Sequence, residues 1–582
     1  MDRKGIIAVT VSVLILLIWQ IEFAPKFTPP VPPPVPPPGQ TPAGTSPAPS
    51  KSISGATGEA SPGAIAAPAM VAMSGTTAPE PKVPEKITDV GWVQATYHFT
   101  NHGGGISRAE LAGYSAESGS SVDLNEFGTY PIGAVSETPD EGADLAYTVT
   151  TEADGVLCVR NQPGGLTISK KFTLPASKRD ASGYRIKLDI TFANSGAEAL
   201  QSPGYYLYAG SATPIHQTDQ PLYTTFDWYS GGGKMTQINV SWFAASTWPL
   251  VGIERTPERP VYTVDADKIG WAAINSQFFT TIVAPKDGAA GNGVWAHRFP
   301  VKTATRDVMA IEGALRMPAF SLPPGKSVTQ SYEIYAGPKI YSTLKDLGDG
   351  QEAILNYGIY KFVAVSLLWA MTLLYHWTGS YAIAIILLTI CVRGVLWPIQ
   401  NRATASMRQM QELQPRMNEL KEKYKDDTTR LNTEMMKLYK EYNINPLAGC
   451  LPMLIQMPIF FGFLSLLRSA IELRGSRFLW VHDLSQPDTI FHLAGFPINI
   501  LPIFMALTTL VSMSLQPKTG DQAQQRMFLF MPLIFLCICY NFASALALYY
   551  TIGNLFSIAQ LYVTRKKTAP APFKAPVKRK TR

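Results

Sequence analysis

Long apolar segments constrain this 582-residue chain most strongly. They are concentrated after residue 356, and a helix of about 20 apolar residues is long enough to cross a bilayer. We therefore predict a polytopic α-helical membrane protein, which excludes a plain cytosolic enzyme. The candidate membrane segments in this part of the chain are 357–377, 381–398, 447–467, 498–515, 527–542 and 543–563.

The N-terminus adds a further apolar run at 6–21, preceded by Arg3 and Lys4. A secretory signal peptide begins in the same way but ends in a cleavage site made of small residues. Here the run ends in the mostly large side chains of residues 19–23, so we predict an uncleaved anchor at 1–24. Because basic residues flank membrane segments on the cytoplasmic side, the N-terminus is predicted to be cytoplasmic.

A low-complexity stretch at 25–85 follows the anchor and consists mainly of Pro, Ala, Gly, Ser and Thr. Such a composition cannot bury a core, and its prolines favour the extended polyproline geometry. We predict a tether that holds the next domain away from the membrane.

Residues 86–345 alternate apolar and polar side chains in short runs, for example at 184–192 and 237–243. Period-two alternation is typical of antiparallel strands with one buried face, so we predict a large β-sandwich. The histidines of this region fit no metal-binding spacing and no nucleophile motif; they are His98, His102, His216 and His297. The five cysteines of the chain are too few and too scattered for a disulfide framework.

The distribution of basic residues predicts the topology of the membrane part. The segment 401–442 carries nine Lys and Arg residues, and the tail 565–582 carries eight with no acid, so both are predicted to be cytoplasmic. If the β-domain lies outside, an odd number of crossings must separate it from residue 401. Consequently 357–377 and 381–398 cannot both span the membrane.

The segment 357–377 is the weaker candidate for a span because it carries Lys361, Trp369, Trp377 and other aromatic residues. Such side chains are typical of a helix that lies in the membrane interface. Six spans result, and both termini are predicted to be cytoplasmic. The predicted parts are an anchor at 1–24, a linker at 25–85, a β-domain at 86–345, an interfacial helix at 346–379, span 2 at 380–399, a cytoplasmic helical hairpin at 400–445, spans 3 to 6 at 446–564 and a basic tail at 565–582.

The predicted hairpin contains two amphipathic helices. Apolar residues recur every three or four positions from Met407 to Tyr424 and again from Leu431 to Tyr442, with a polar break between. The two helices could bury these stripes on each other, or they could present a flexible, Met-rich surface to other polypeptides. Both interpretations remain open.

Arg393 is the residue that most needs an explanation, because it lies inside the apolar run 381–398. A guanidinium in hydrocarbon costs about 3 kcal/mol or more, and it stays charged in proteins. Arg393 could extend to the inner headgroups near Arg402, or it could face a water-filled cavity among the helices.

Other polar residues in the spans favour the cavity. The apolar segments contain no Asp or Glu, so an ion pair within the membrane is excluded. An unpaired cation in a wet pocket of low dielectric constant would attract an acidic or polar segment of another chain. The neighbouring polar candidates are Thr389, one turn before Arg393, with Gln456, Tyr549, Tyr550 and Asn554.

Several motifs resemble the YidC membrane protein insertase family. They include QELQP at 411–415, EMMKLY at 434–439, NPLAGCLPMLIQMPIF at 445–460 and LWVHDL at 479–484. The resemblance covers about 357–565 almost without gaps, and the stretch GWAAINSQFF at 270–279 is similar to the periplasmic β-supersandwich of the family. The long linker and the basic tail depart from the common pattern without affecting the core assignment.

The resemblance implies a function that composition does not show. The family inserts and helps fold inner-membrane proteins, alone or beside the Sec translocon, and is not enzymatic. It has five core spans around a hydrophilic groove that is open to the cytoplasm and to lipid. By this resemblance Arg393 is the groove arginine, Thr389 and Gln456 line the groove, and Tyr550 faces the client. Asn554 is a further polar candidate by its position in the last span.

The predicted mechanism is passive. A polar segment of a nascent inner-membrane protein would enter the pocket at Arg393 while its apolar helix moves into lipid. No nucleotide is expected, since no P-loop occurs, and no cofactor or metal is expected either. The basic tail could contact the ribosome or anionic lipids, and the sequence does not decide between them.

Two rival interpretations make different predictions. A channel or transporter would show a repeat between its halves, and none is visible. A membrane-tethered protein that binds or hydrolyses carbohydrate would carry paired catalytic carboxylates in the β-domain.

Overall fold

The computed structural model describes residues 83–565, except for 117–118, 140–144, 175–182, 217–218, 248–253, 304–306, 426, 443–450 and 517–521. The predicted anchor, nearly all of the predicted linker and the tail beyond Arg565 lie outside the described residues. The chain divides into two compact units. One is all-β and reaches Pro338, together with Lys345–Gly350; the other is mainly helical and comprises Lys339–Leu344 and the chain from Gln351 onward.

The all-β unit consists of short and long antiparallel strands. They are β1 (Ile87–Gly91), β2 (Ala95–Thr100), β3 (Gly105–Ser115), β4 (Ser121–Leu124), β5 (Val135–Ser136), β6 (Thr148–Glu152), β7 (Gly155–Asn161), β8 (Leu166–Thr173), β9 (Arg185–Asn194), β10 (Leu200–Ser202), β11 (Tyr205–Ala212), β12 (Thr225–Ser230), β13 (Lys234–Asn239), β14 (Ser246–Thr247), β15 (Glu254–Thr256), β16 (Val261–Asn275), β17 (Phe279–Pro285), β18 (Gly291–Lys302), β19 (Asp307–Met317), β20 (Phe320–Leu322) and β21 (Ser327–Pro338).

In the described residues, 13 of these strands form one sheet. Its order is β5-β11-β19-β18-β16-β17-β21-β9-β8-β7-β6, and β12 pairs with β16 and with β13. A separate four-stranded sheet has the order β1-β2-β3-β4. Every residue of the central strand β17 is buried, so both faces of the large sheet are covered at this strand. The predicted large all-β domain is therefore confirmed.

Alternation in the sequence explains the strands well. In β9 the buried apolar residues are Ile186, Leu188, Ile190 and Phe192, each separated by a more exposed residue. The strand predicted over 237–243 is only half correct, because β13 ends at Asn239 and a 3₁₀ turn, Val240–Phe243, follows. The Asn239 side chain accepts a hydrogen bond from the Trp242 amide at 3.0 Å, which stabilises the start of that turn.

The helical unit contains nine α-helices or parts of them within the described residues. They are α1 (Tyr341–Asp346), α2 (Lys361–Thr378), α3 (Tyr381–Glu412), α4 (Gln414–Lys423), α5 (Thr428–Glu441), α6 (Leu451–Ser469), α7 (Ile500–Leu515), α8 (Gln522–Cys539) and α9 (Ser544–Arg565). A two-stranded hairpin of β22 (Thr489–Leu493) and β23 (Phe496–Asn499) precedes α7.

Three described helical segments are long and apolar enough to cross a membrane: Gly358–Thr378, Tyr381–Glu412 and Ser544–Thr564. Leu454–Ser469, Ile500–Leu515 and Phe530–Cys539 are apolar but shorter. Length and composition do not separate a spanning helix from an interfacial one. The interfacial position of 346–379 and the count of six spans therefore stay predictions that rest on loop charge.

Helix α3 continues well past the predicted end of span 2 at residue 399. Pro398 lies inside it, and the helix ends only at Glu412, directly before α4. The first arm of the predicted hairpin thus begins as a continuation of α3 and ends as the separate helix α4. This continuity carries the polar residues after residue 399 onto the same helical faces as Arg393.

Helices α4 and α5 pack against each other through Leu413, Met417 and Leu438. Met410, Leu420, Met435 and Tyr439 pack around these three residues. Much of the predicted apolar stripe therefore packs between the two helices, although among these residues only Leu413, Met417 and Leu438 are buried there. The packing supports the interpretation in which the helices bury their stripes on each other, while the partly buried residues and the exposed Met436 leave the contact with other polypeptides a prediction.

Candidate functional site

A polar stripe runs along one face of α3. Arg393, Gln400, Thr404 and Met407 follow one another at spacings of seven, four and three residues. These spacings place all four side chains on one face of a helix with 3.6 residues per turn. The stripe extends from inside the apolar run to the beginning of the basic segment 401–442.

A second stripe of small and polar residues runs along α9. It consists of Gly553, Ser557, Gln560 and Thr564, again at spacings of three or four residues. The side-chain amide of Gln560 donates to Asn401 Oδ1 at 2.9 Å, which joins the two helices at one end. The two polar faces therefore lie opposite each other.

A cavity of about 260 Å³ lies between these faces. A space of this size with polar walls holds several water molecules. Helix α6 contributes Gln456 to the wall, and Gln516 at the end of α7 contributes another amide. The complete lining is Arg393, Gln400, Asn401, Thr404, Met407, Gln456, Gln516, Ser557, Gln560, Leu561 and Thr564.

Arg393 supplies the charge of this cavity, since no other Arg, Lys, Asp or Glu is among its described lining residues. Its Nε is buried and has no hydrogen-bond partner in the described part of the chain. A buried donor without a partner costs free energy unless water or another molecule accepts its hydrogen bond. The site is therefore a cation with unused donor capacity beside space for water.

Gly553 allows the guanidinium to lie close to the backbone of α9. A methyl group on Gly553 would lie 3.0 Å from Nη2 and 3.2 Å from Nε of Arg393. Both distances are shorter than an ordinary van der Waals contact. The absence of a side chain at residue 553 thus determines where the guanidinium can rest.

Gln456 is oriented by the last helix. Its side-chain amide donates to the Tyr549 hydroxyl at 3.1 Å. Tyr549 is buried and its ring packs against Phe463, with ring centroids 4.3 Å apart. Gln456 and Arg393 are the two predicted site residues that the structure brings to the cavity wall.

The other three predicted residues lie elsewhere. Thr389 is fully buried, and its hydroxyl donates to Ile385 O at 2.7 Å within its own helix. The Tyr550 ring packs against Phe460 and Phe535. Asn554 donates to the Thr509 hydroxyl at 2.8 Å and so joins α9 to α7. The groove roles of Thr389 and Tyr550 stay predictions from the family resemblance, and that of Asn554 stays a prediction from its position in the last span.

Seven polar lining residues were not predicted: Gln400, Asn401, Thr404, Gln516, Ser557, Gln560 and Thr564. Gln400, Asn401 and Thr404 follow the point where the predicted span ends, so they were assigned to a cytoplasmic hairpin. Their spacing from Arg393 was the signal that could have identified them. The α9 residues required knowledge that α9 packs against α3, which no local pattern provides.

Comparison with known proteins identifies the family. Residues 94–370 match the family described as YidC periplasmic domain, and 373–571 match the 60Kd inner membrane protein family. A membrane protein insertase YidC from Syntrophus aciditrophicus (strain SB) is 32% identical, over 97% of this chain and 100% of that protein. The chain belongs to the YidC family of membrane protein insertases.

Other similar proteins have the same printed name. The membrane protein insertase YidC from Geobacter metallireducens is 28% identical over 99% of this chain and 100% of that protein. Among solved structures, an active YidC insertase with its first transmembrane domain resolved is 19% identical, covers 83% of this chain and 93% of that chain, and has a TM-score of 0.33. A galactose mutarotase related enzyme from Lactobacillus acidophilus is 9% identical, covers 43% of this chain and 97% of that chain, and has a TM-score of 0.27.

Family membership confirms the resemblance read from the sequence motifs. The protein is an inner-membrane insertase with a periplasmic β-domain, and it is not an enzyme. The rival interpretations as a channel or a membrane-tethered carbohydrate protein do not account for a relationship that extends over the whole chain.

Proposed function

We propose that this insertase works passively, by holding a polar segment of a nascent inner-membrane protein beside Arg393 in the cavity between α3 and α9. The observation that supports this mechanism is the buried, unpartnered Nε of Arg393 in a wall of uncharged polar side chains. The client segment would satisfy this donor and would remain hydrated partway across the bilayer.

Electrostatics favours an acidic or strongly polar client segment. Two opposite unit charges 4 Å apart attract by about 4 kcal/mol at an effective dielectric constant of 20. Because the cavity holds water, moving the client's carboxylate into it costs much less free energy than moving the carboxylate into hydrocarbon. Because Arg393 has no carboxylate of its own among the described cavity residues, its charge is available to the client.

The apolar part of the client would leave toward lipid. Val395 on α3 and Leu555 and Val563 on α9 are exposed apolar residues on the helices that form the cavity. Transfer of apolar surface out of water is worth about 25 cal/mol per Å². This gain would drive the helix into the bilayer, and the mechanism needs no nucleotide hydrolysis and no cofactor.

The proposal includes partners and a topology. Six spans would place the N-terminus, the helical hairpin and the basic tail in the cytoplasm, with groove access from that side and from lipid. The Sec translocon would act beside the protein for some clients. The tail, which lies outside the described residues, would contact the ribosome or anionic lipids through its Lys and Arg side chains.

The test compares clients in proteoliposomes that contain the purified full chain. One client carries a single Asp in the segment to be translocated, and its partner carries Asn at that position. Arg393→Ala should reduce insertion of the Asp client severalfold more than that of the Asn client, and Arg393→Lys should restore most of it because it restores the charge.

Arg468→Ala is the matched control. Arg468 lies in the last turn of α6, over the Phe542 ring, and is not among the described lining residues of the cavity. This substitution should leave the ratio between the two clients unchanged. If the Arg393→Ala protein inserts the Asp client and the Asn client equally well, and as fast as the unmodified protein does, the mechanism is overturned.

A further inference from the structure

The hairpin formed by β22 and β23 exposes an unusual amount of apolar surface. Ile490, Phe491, Leu493 and Phe496 are 47–64% exposed. The segment 489–499 contains no Asp, Glu, Lys or Arg, and His492 is its one titratable side chain. Large exposed apolar patches mark surfaces that meet a partner or a membrane.

The turn of this hairpin is also apolar. Ala494 has φ 50° and Gly495 has φ 82°, so both residues of the two-residue turn have left-handed backbone conformations. Asn or Asp is the common choice at the first position of such a turn, because a short polar side chain tolerates the left-handed region. This chain has Ala494 at that position. Alanine in the left-handed region is somewhat strained, and its methyl group leaves the tip without a polar side chain.

Hydrogen bonds to Tyr540 hold the hairpin in place. The side-chain amide of Asn499 donates to Tyr540 O at 2.7 Å, and the Tyr540 hydroxyl donates to Pro497 O at 2.7 Å. The Phe496 ring stacks on the Tyr540 ring, with centroids 5.3 Å apart. The exposed side chains therefore belong to an ordered ribbon that is attached to the connection between α8 and α9.

The apolar surface continues from the hairpin onto the membrane helix that follows it. Asp488 accepts hydrogen bonds from the Ile500 and Leu501 amides at 3.1 and 2.6 Å, so α7 starts directly after β23. The first turns of α7 expose Ile503 and Phe504. The Trp480 and Phe504 rings lie near each other, with centroids 6.5 Å apart, and tryptophans are enriched at membrane interfaces.

We infer that the tip of this hairpin inserts into the membrane, with Phe491, Leu493 and Phe496 among the lipid chains. On the topology proposed above, this is the outer leaflet of the inner membrane. Lipid is the occupant because the patch is continuous with the exposed apolar side chains of α7 and has no fixed charge that would select a protein partner. The insertion is shallow. A two-stranded ribbon leaves backbone groups unpaired along both edges, and these must remain near headgroups or water.

Photocrosslinking in proteoliposomes of the full chain tests this placement. p-Benzoylphenylalanine is introduced in place of Phe491, and lipid adducts are measured after irradiation in vesicles of radiolabelled phosphatidylethanolamine. Phe504 on α7 is the positive control site, and Leu222, which is 49% exposed in the β-domain, is the negative one. We expect adducts at residue 491 comparable to those at 504, and none at 222.

A charge at the tip sharpens the experiment. Leu493→Asp should lower the lipid adduct at residue 491 severalfold and leave the adduct at 504 unchanged, which also shows that the helices remain folded. Leu493→Ile should leave both unchanged. Absence of lipid adducts at 491 while 504 reacts, or capture of a protein instead of lipid at 491, would overturn the inference.

Discussion

Arg393 in the helical unit and Lys170 in the β-domain are both cations that lie largely inside the protein, yet their surroundings differ. Lys170 is fully buried, and its Nζ donates to Gly103 O and, at 3.1 Å, to Gly133 O, while the Tyr147 ring lies 4.3 Å away. Arg393 lies beside a cavity with its Nε unpartnered. The lysine is used to hold strands and loops together, whereas the arginine keeps capacity for a ligand.

The comparison teaches how a buried cation is recognised as structural or functional. Burial removes water from Lys170 and lowers its pKa to about 7, and two carbonyl oxygens replace the lost hydration. The side chain is therefore satisfied in the folded state. An unsatisfied cation beside a polar cavity is a site that an incoming polypeptide can complete.

The largest expected effect is on folding stability. Lys170→Ala should lower the free energy of unfolding of the β-domain by about 3–5 kcal/mol, because it leaves a cavity and two carbonyls without a donor. Arg393→Ala should lower the stability of the helical unit by less than about 1 kcal/mol, since it breaks no hydrogen bond of Nε. Urea-dependent pulse proteolysis of the full chain in detergent measures both. An equal loss in the two variants would contradict the distinction.

The next effect is a pH dependence of the β-domain. Lys170 has a folded pKa of about 7 and an ordinary value of 10.5, so between these values the unfolded chain binds more protons than the folded one. Stability should therefore rise with pH in this window, by up to about 1.4 kcal/mol per pH unit. Above pH 9 the trend weakens, because burial raises the pKa of Cys158 to about 11 and its thiol ionises first in the unfolded chain.

Pulse proteolysis at pH 7, 8 and 9 checks this prediction. Lys170→Met retains the approximate side-chain length and removes the titrating amine, so its stability should change little over the same range. A rise of equal size in the Lys170→Met variant would show that another group is responsible.

The smallest effect concerns the position of the Arg393 guanidinium. Gly553→Ala should displace it by a few tenths of an ångström and reduce insertion of a client with an acidic segment about twofold to fivefold, or up to about 1 kcal/mol. Gly394→Ala is the matched control, because a methyl group there meets no atom within 4 Å. Equal insertion by the two variants would mean that close approach of the guanidinium to α9 is unimportant.

Sequence patterns predicted the strands of the β-domain because alternation reports one buried face. The same alternation places Lys170 on the buried face of β8, together with Ile168 and Phe172. It could not reveal what satisfies Lys170, because Gly103 and Gly133 lie 67 and 37 residues away along the chain.

The sequence by itself determined that the chain enters a membrane, carries a large β-domain and contains one arginine that hydrocarbon cannot accommodate, because these conclusions depend on local composition and periodicity. The tertiary structure alone decided which residues surround that arginine. The polar face of α3 meets Gly553, Ser557 and Gln560 more than 150 residues later, and this pairing depends on how helices pack rather than on any local pattern. Packing also separated Gln456, which reaches the cavity, from Thr389, whose hydroxyl is satisfied within its own helix.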